Sequence, residues 1–537
     1  MCFTRTPLLK FLRGLKQMSA SREKQTRRSQ VSSGMEDPKT AREAQQRKAE
    51  QRSNQVYITI AVVFVLVAAA TLVWKSNIIQ KKATAVTIDG ENYTATEVNY
   101  YFRNEYQYFV SQYYSYLSMF GLDTSKDLKS QAFSMGEDGE TWYDYFLDQA
   151  LTQLKADKAL NDAADEAGFD EWNDSMQSNF DTVMENQKSN AENSGYSLKE
   201  YLKLGYGSGM TQSAYEARLK YALRASAYSS AYKDSLTYTT QQLTDAYNAD
   251  PNAYDRVSYE SVSISGAVAT TDADGNTVDV TDEMKTDAMA AAKKTADSIY
   301  ASYQSGGSLS ALADAQDGAN YTNSESGTYS SSTLYDWLFD SSRKAGDSAV
   351  LEDSSSSMYY VVVFRDRYRQ DYNTIDVRHI LVRMDTSDLD SSSDTYDEDL
   401  QKRKDETKAK AEEILNEWKS GDATEDSFAA LANEKSEDSG SNTNGGLYTR
   451  VHEGAMVEEF NDWCFDASRK AGDTGIVYGE SSNYQGYHVV YFVGEDLPCW
   501  QADAFDNLQS ADYNEWYSGL TEKLTADQHD FGMRFVG

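Results

Sequence analysis

Cysteine and histidine are scarce in this chain, with three and four copies in 537 residues. There is no CxxC pair, and His379, His452, His488 and His529 lack the spacing of a metal module, so no metal or other cofactor is expected. The fragment DADGN at 272–276 lacks the rest of a calcium loop and reads as a hairpin turn. Past Cys2 only Cys464 and Cys499 remain. Cys464 aligns with Leu338 in a repeat described below, which favours a small buried hydrophobe over a disulfide with Cys499.

Positive charge is also missing from most of the chain. Residues 1–55 carry 13 Lys+Arg against 5 Asp+Glu, whereas the remainder carries 38 against 80. An acidic surface of that size excludes nucleic acid and anionic lipid as partners, since both demand a basic footprint. The break falls at 56–74, VYITIAVVFVLVAAATLVW, nineteen residues without a charge and close to the length of a membrane-crossing helix. A cleaved signal peptide would have a shorter apolar region and a small-x-small site after it, which KSNIIQKKATAV does not offer. One transmembrane helix is therefore expected, with the tail 1–55 disordered and cytoplasmic and the bulk outside.

What the chain does have is a stretch written twice. YDWLFDSSRKAGD at 335–347 and NDWCFDASRKAGD at 461–473 agree at ten of thirteen positions. Each is followed by an apolar strand, MYYVVVF with Tyr360 in the first copy and GYHVVYF with His488 in the second. The repeats span 256–367 and 376–495, each reading as strand, helix, helix, turn, helix, strand. In the second, Ala411, Ile414, Leu415 and Trp418 share one buried helical face. Before the repeats, 85–94 reads as a hairpin around Asp89-Gly90, and Thr94 with Glu97 has capping-box spacing. Helical periodicity then fills 85–250 until Pro251 ends it, with many tyrosines that read as core and rim packing or as a groove for apolar chain. The segment 385–399 reads as an acidic loop, and 500–537 as a helical segment packing back on the helical domain.

The second repeat opens with DVRHILV and closes with GYHVV, so His379 and His488 lie on strands that can be neighbours. With FAALANEKSED, NGGLY and EGAMVEEF between them, the stretch 376–495 resembles the parvulin family of peptidyl-prolyl cis-trans isomerases. The resemblance implies catalytic residues His379, Asp438 and His488, and a proline pocket of Leu447, Met456 and Phe460, with Asn483 or Gln485 as the polar position before the last strand. The loop at Gly445-Gly446-Leu447-Tyr448 is one residue shorter than the GGDLG of many parvulins. The first repeat serves as an internal control, aligning Ser261 with His379, Ala319 with Asp438, Thr328 with Leu447 and Tyr360 with His488. It keeps the scaffold motifs and lacks the constellation, so the fold alone does not require those residues.

The whole is similar to the PrsA/SurA class of extracytoplasmic foldases. That similarity implies an α+β chain: a transmembrane helix, a SurA/PrsA-like helical chaperone domain, then two tandem FKBP-like parvulin domains, the first degenerate. Its implied partners are unfolded or partly folded secreted polypeptides with X-Pro bonds, at a membrane of Gram-positive type. A homodimer is left open. The alternative is a holdase or assembly chaperone whose parvulin domains only bind peptide.

Overall fold

In the computed structural model the described residues are Arg28, 59–68, Thr71, 77–169, 172–271, Thr277, 279–482 and 484–537. The tail 1–55 falls outside them except for Arg28, as do 272–276 and Asn483. The expected span 56–74 is described only at 59–68 and Thr71, which are helical. Among the described residues no helix is long and apolar enough to cross a membrane.

The described chain forms two compact units: one of 1–159, 180–223 and 524–537, the other of 160–179 and 224–523. In the first unit, strands β1 (Thr84–Ile88) and β2 (Glu91–Thr94) form an antiparallel hairpin. Asp89 and Gly90 turn it with φ of 47° and 78°, the left-handed pair that a two-residue hairpin loop requires. Thr94 then caps the helix Ala95–Gln112 in a full capping box with Glu97. The tyrosine-rich run is split by helical phase: Tyr100, Tyr101, Phe102 and Phe109 enter a core with Trp142 and Phe146, whereas Tyr108, Tyr114 and Tyr116 are exposed.

The second unit holds two four-stranded antiparallel sheets of the same topology. The first sheet contains β3 (Arg256–Ser265), β4 (Ala319–Gly327), β5 (Ser348–Asp353) and β6 (Met358–Tyr368), in the order β4-β3-β6-β5. The second contains β7 (Asn373–Arg383), β8 (Leu447–Val451), β9 (Thr474–Glu480) and β10 (Gln485–Pro498), in the order β8-β7-β10-β9. Each repeat thus has two strands more than its hydrophobic pattern indicates, β4 and β5 in one and β8 and β9 in the other. Strand β4 is mostly exposed and polar, which hides it from a search for apolar runs.

Strand alternation gives each sheet two faces. In the second sheet Ile380, Val382 and Val489 pack under the long helix Tyr396–Ser420 and the helix Glu425–Lys435, against Ala411, Leu415, Trp418 and Phe428. The opposite face carries Val377 and Val490 against Phe460 and Cys464 of the helix Glu458–Cys464. Cys464 and Cys499 are both buried and free, and Leu338 is buried in the place corresponding to Cys464.

The duplicated stretch is a turn built identically twice. Asp340 and Asp466 each accept from the amide two residues on, at 2.8 Å, and Asp347 and Asp473 close the next turn onto Lys344 and Lys470. Arg343 stacks on Trp337 at 4.4 Å and Arg469 on Trp463 at 4.0 Å. Gly346 and Gly472, at φ 88° and 92°, donate to Phe364 and Phe492 of the following strands. These residues serve the turn, none the chemistry.

Candidate active site

The histidines come from adjacent central strands. In the ladder His379 of β7 is paired with Val490 and His488 of β10 with Leu381, so the two rings are diagonal neighbours on one face. They lie stacked at 5.0 Å between centroids, with Nδ1 to Nδ1 at 2.8 Å. Both are buried.

A line of hydrogen bonds runs through the pair. His379 Nε2 is 2.9 Å from Asp438 Oδ2, and His488 Nε2 is 3.0 Å from the hydroxyl of Tyr484. Asp438 also accepts from Ser441 at 2.5 Å and from Tyr448 at 2.9 Å. Those donors, His379 first, hold its carboxyl well below the usual carboxylate range. An ionised Asp438 accepts a hydrogen bond from the Nε2–H of His379, leaving His379 Nδ1 as acceptor. His488 then donates from Nδ1 and accepts the Tyr484 hydroxyl at Nε2. The tautomers follow from the partners. Burial, then the neighbouring His379, pushes His488 down to about 3, so its ring is neutral at physiological pH. Burial and Asp438 push Tyr448 up to about 12, keeping it a donor.

Above the rings lies a cavity of about 210 Å³. Met456, Val457 and Phe460 form its apolar wall, Leu381 and Tyr448 its flanks, and Arg383 and Tyr484 stand with them in the lining. Phe460 meets both imidazoles edge to face, at 5.8 Å from His379 and 5.2 Å from His488. Two glycines make room. A Cβ at Gly479 would lie 2.6 Å from His488 Nε2, and one at Gly446, already at φ 70°, would strike the carbonyl oxygen of His379.

Of the residues expected from sequence, His379, Asp438, His488, Met456 and Phe460 meet here. Leu447 does not. It pairs with Arg378 in β8, on the face away from the histidines, and the next residue, Tyr448, takes the position in the lining. Gln485 also turns away, binding Glu480 at 2.9 Å, and Asn483 lies outside the described residues. The alternation of β10, carried back one residue before its start at Gln485, puts 484 on the side of 486 and 488, a signal that selects Tyr484 over its neighbours.

The strand registers test the comparison between repeats. Ser261 is paired with Val362 and Ser263 with Tyr360, the same diagonal as His379 with Val490 and Leu381 with His488. Tyr360 and Ser261 are therefore the true counterparts of His488 and His379. The other two assignments are corrected. Asn323 lies opposite Glu260 as Leu447 lies opposite Arg378, so Asn323 replaces Thr328 as the match to Leu447. Ala319 does not match Asp438. In the first sheet β4 runs straight from Asn320 to Thr322, whereas in the second repeat the backbone leaves the sheet after Glu437 bonds to Leu381 and returns where Gly446 bonds to His379. Asp438 and Ser441 sit in that excursion, which the first repeat lacks.

Residues 360–494 match the family model of the PPIC-type PPIase domain, beginning in the last strand of the first sheet and ending within β10, the last strand of the second. The chain thus carries a parvulin-type peptidyl-prolyl isomerase domain. No curated protein matches the chain. Among solved structures, a peptidylprolyl isomerase (PrsA) from Bacillus cereus is 23% identical with a TM-score of 0.17, over 28% of this chain and 49% of that one. A foldase protein PrsA from Streptococcus pneumoniae str. Canada MDR_19A is 12% identical with a TM-score of 0.17, over 72% of this chain and 91% of that one. The chain spans about half the length of the first of these. At such scores neither likeness carries an argument.

Proposed function

We propose that the protein is an extracytoplasmic peptidyl-prolyl isomerase and foldase, tethered by the apolar stretch 56–74 with its basic tail 1–55 in the cytoplasm. The tether rests on the charge-free run and on the basic excess before it. Its substrates are X-Pro bonds in unfolded or partly folded secreted polypeptides.

The observation that carries the reading is the line Tyr484, His488, His379, Asp438 beneath an apolar cavity. Rotation about an X-Pro bond needs no nucleophile. It needs relief of part of a barrier of about 18–20 kcal/mol that comes from amide resonance. Met456 and Phe460 offer the proline ring an apolar seat. The histidines offer fixed dipoles that can favour the twisted amide over the planar one, since their tautomers are set in advance and cost no reorganisation. Neutral His488 and buried His379 position and polarise; no proton transfer is required of either.

The test is isomerisation of a proline tetrapeptide by the full chain. Catalysis abolished by substitutions at the site, with the fold intact, supports the reading. Suppression of client aggregation with no isomerisation at all would assign the chain to peptide-binding holdases instead. Protease added to intact cells tests the placement, and digestion of the bulk with survival of the tail is expected.

A further inference from the structure

One cluster of ligand-type side chains lies outside the lining of the isomerase cavity and has no part in its chemistry. His452 follows β8, while Cys499 and Asp503 lie one turn apart at the start of the helix Cys499–Thr521. One ligand atom from each lies within 4.8 Å of the other two. Cys499 Sγ is 3.2 Å from His452 Nδ1 and 3.5 Å from Gln370 Oε1. Asp503 turns Oδ1 toward the other ring nitrogen of His452, Nε2, at 3.6 Å, while Arg256 binds Oδ2 at 3.4 Å.

We propose that His452, Cys499 and Asp503 form a binding site for one borderline divalent transition ion of the zinc type, with Gln370 as a fourth donor. Zinc bonds of about 2.0–2.3 Å at tetrahedral angles set neighbouring ligand atoms roughly 3.3–3.7 Å apart. The Sγ–Nδ1 separation of 3.2 Å is close to that spacing, and since one ion takes one ring nitrogen, Asp503, which faces Nε2, must turn its carboxylate toward the Nδ1 side to join them. A sulfur, an imidazole nitrogen and a carboxylate oxygen select zinc over calcium or magnesium, which take oxygen ligands. The thiolate and carboxylate balance the dication, and Arg256 fixes the carboxylate from behind as an outer partner. Cys499 is fully buried, but the His452 and Asp503 side chains keep 29% and 23% exposure, which leaves the ion a way in. No sequence motif announces the site, because His452 and Cys499 are 47 residues apart. Bound there, the ion would clasp the end of β8, the connection at Gln370 between the two sheets, and the start of the helix Cys499–Thr521.

The experiment titrates Co²⁺ into the reduced full chain and reads the thiolate-to-cobalt charge-transfer absorption. One equivalent should generate the band, Zn²⁺ should displace it, and C464S should retain it. C499S should lose it, and H452Q should weaken cobalt binding at least about tenfold. His452 is partly exposed, so H452Q decides the matter if C499S does not fold. The histidines of the isomerase cavity have no cysteine beside them and cannot supply such a band. No charge-transfer band with the wild-type chain, or a band undiminished in C499S or H452Q, would overturn the proposal.

Discussion

The Tyr484 hydroxyl lies 3.0 Å from His488 Nε2, at the far end of the line from Asp438. It completes the set of partners that fixes both imidazole tautomers. Tyr484→Phe removes one hydrogen bond and leaves the ring, so kcat/KM should fall about three- to tenfold, the value of a net bond of about 1 kcal/mol. Thermal stability should hardly change. Measuring kcat and KM separately checks whether the loss is in kcat, as a positioning role requires.

His488 supplies a pH signature. Its folded value is about 3 against an ordinary 6.5, so between those limits the unfolded chain holds a proton that the folded one does not. Stability is therefore full above pH 6.5 and declines as the pH falls toward 3. Asp438, held low by His379, adds a loss of the same sign further into acid. NMR of labelled histidine should show the His488 ring neutral down to about pH 4, and a midpoint near the ordinary 6.5 would contradict the burial argument.

Gly446 and Gly479 are required by close approach. Gly446→Ala forces a side chain onto the His379 carbonyl at positive φ and should cost about 1–3 kcal/mol in urea unfolding. Gly479→Ala presses on His488 and Val457 instead. It should lower kcat/KM by more than its loss of stability explains, because the ring it moves is the one under the substrate.

The first sheet should be catalytically silent. It has Ser261 and Tyr360 at the histidine positions and a straight β4 where the Asp438 excursion would be. With His379 and His488 both replaced by Ala, the full chain should isomerise peptide at the uncatalysed rate. Tyr360→His should not restore activity, since neither the acid nor the second imidazole is there.

Much of this site was legible in the sequence because the repeat offers a copy without it. The histidines stood out against Ser261 and Tyr360, and Met456 and Phe460 followed from the family pattern. Leu447 and Gln485 went astray through strand parity, since one residue along a strand reverses the face. The interval from Ala313 to Tyr329 equals that from Ala432 to Tyr448 in the sequence, which by itself predicts an ungapped match of the repeats. In the structure the Asp438 excursion falls inside that interval, and Tyr448 stands opposite Val377 as Ser324 stands opposite Tyr259. Strand β4 is polar and leaves no apolar trace, and the edge strands β5, β8 and β9 carry apolar runs (AVL, LY, IVY) too short to stand out from their surroundings.

The most direct test of the central claim is kcat/KM for a proline tetrapeptide with His379→Ala and His488→Ala, each in the full chain with its fold checked by circular dichroism. Each should lose about 10²-fold or more, and the double variant little beyond either single one, because the rings act as one hydrogen-bonded unit. Wild-type rates in both single variants would contradict the account.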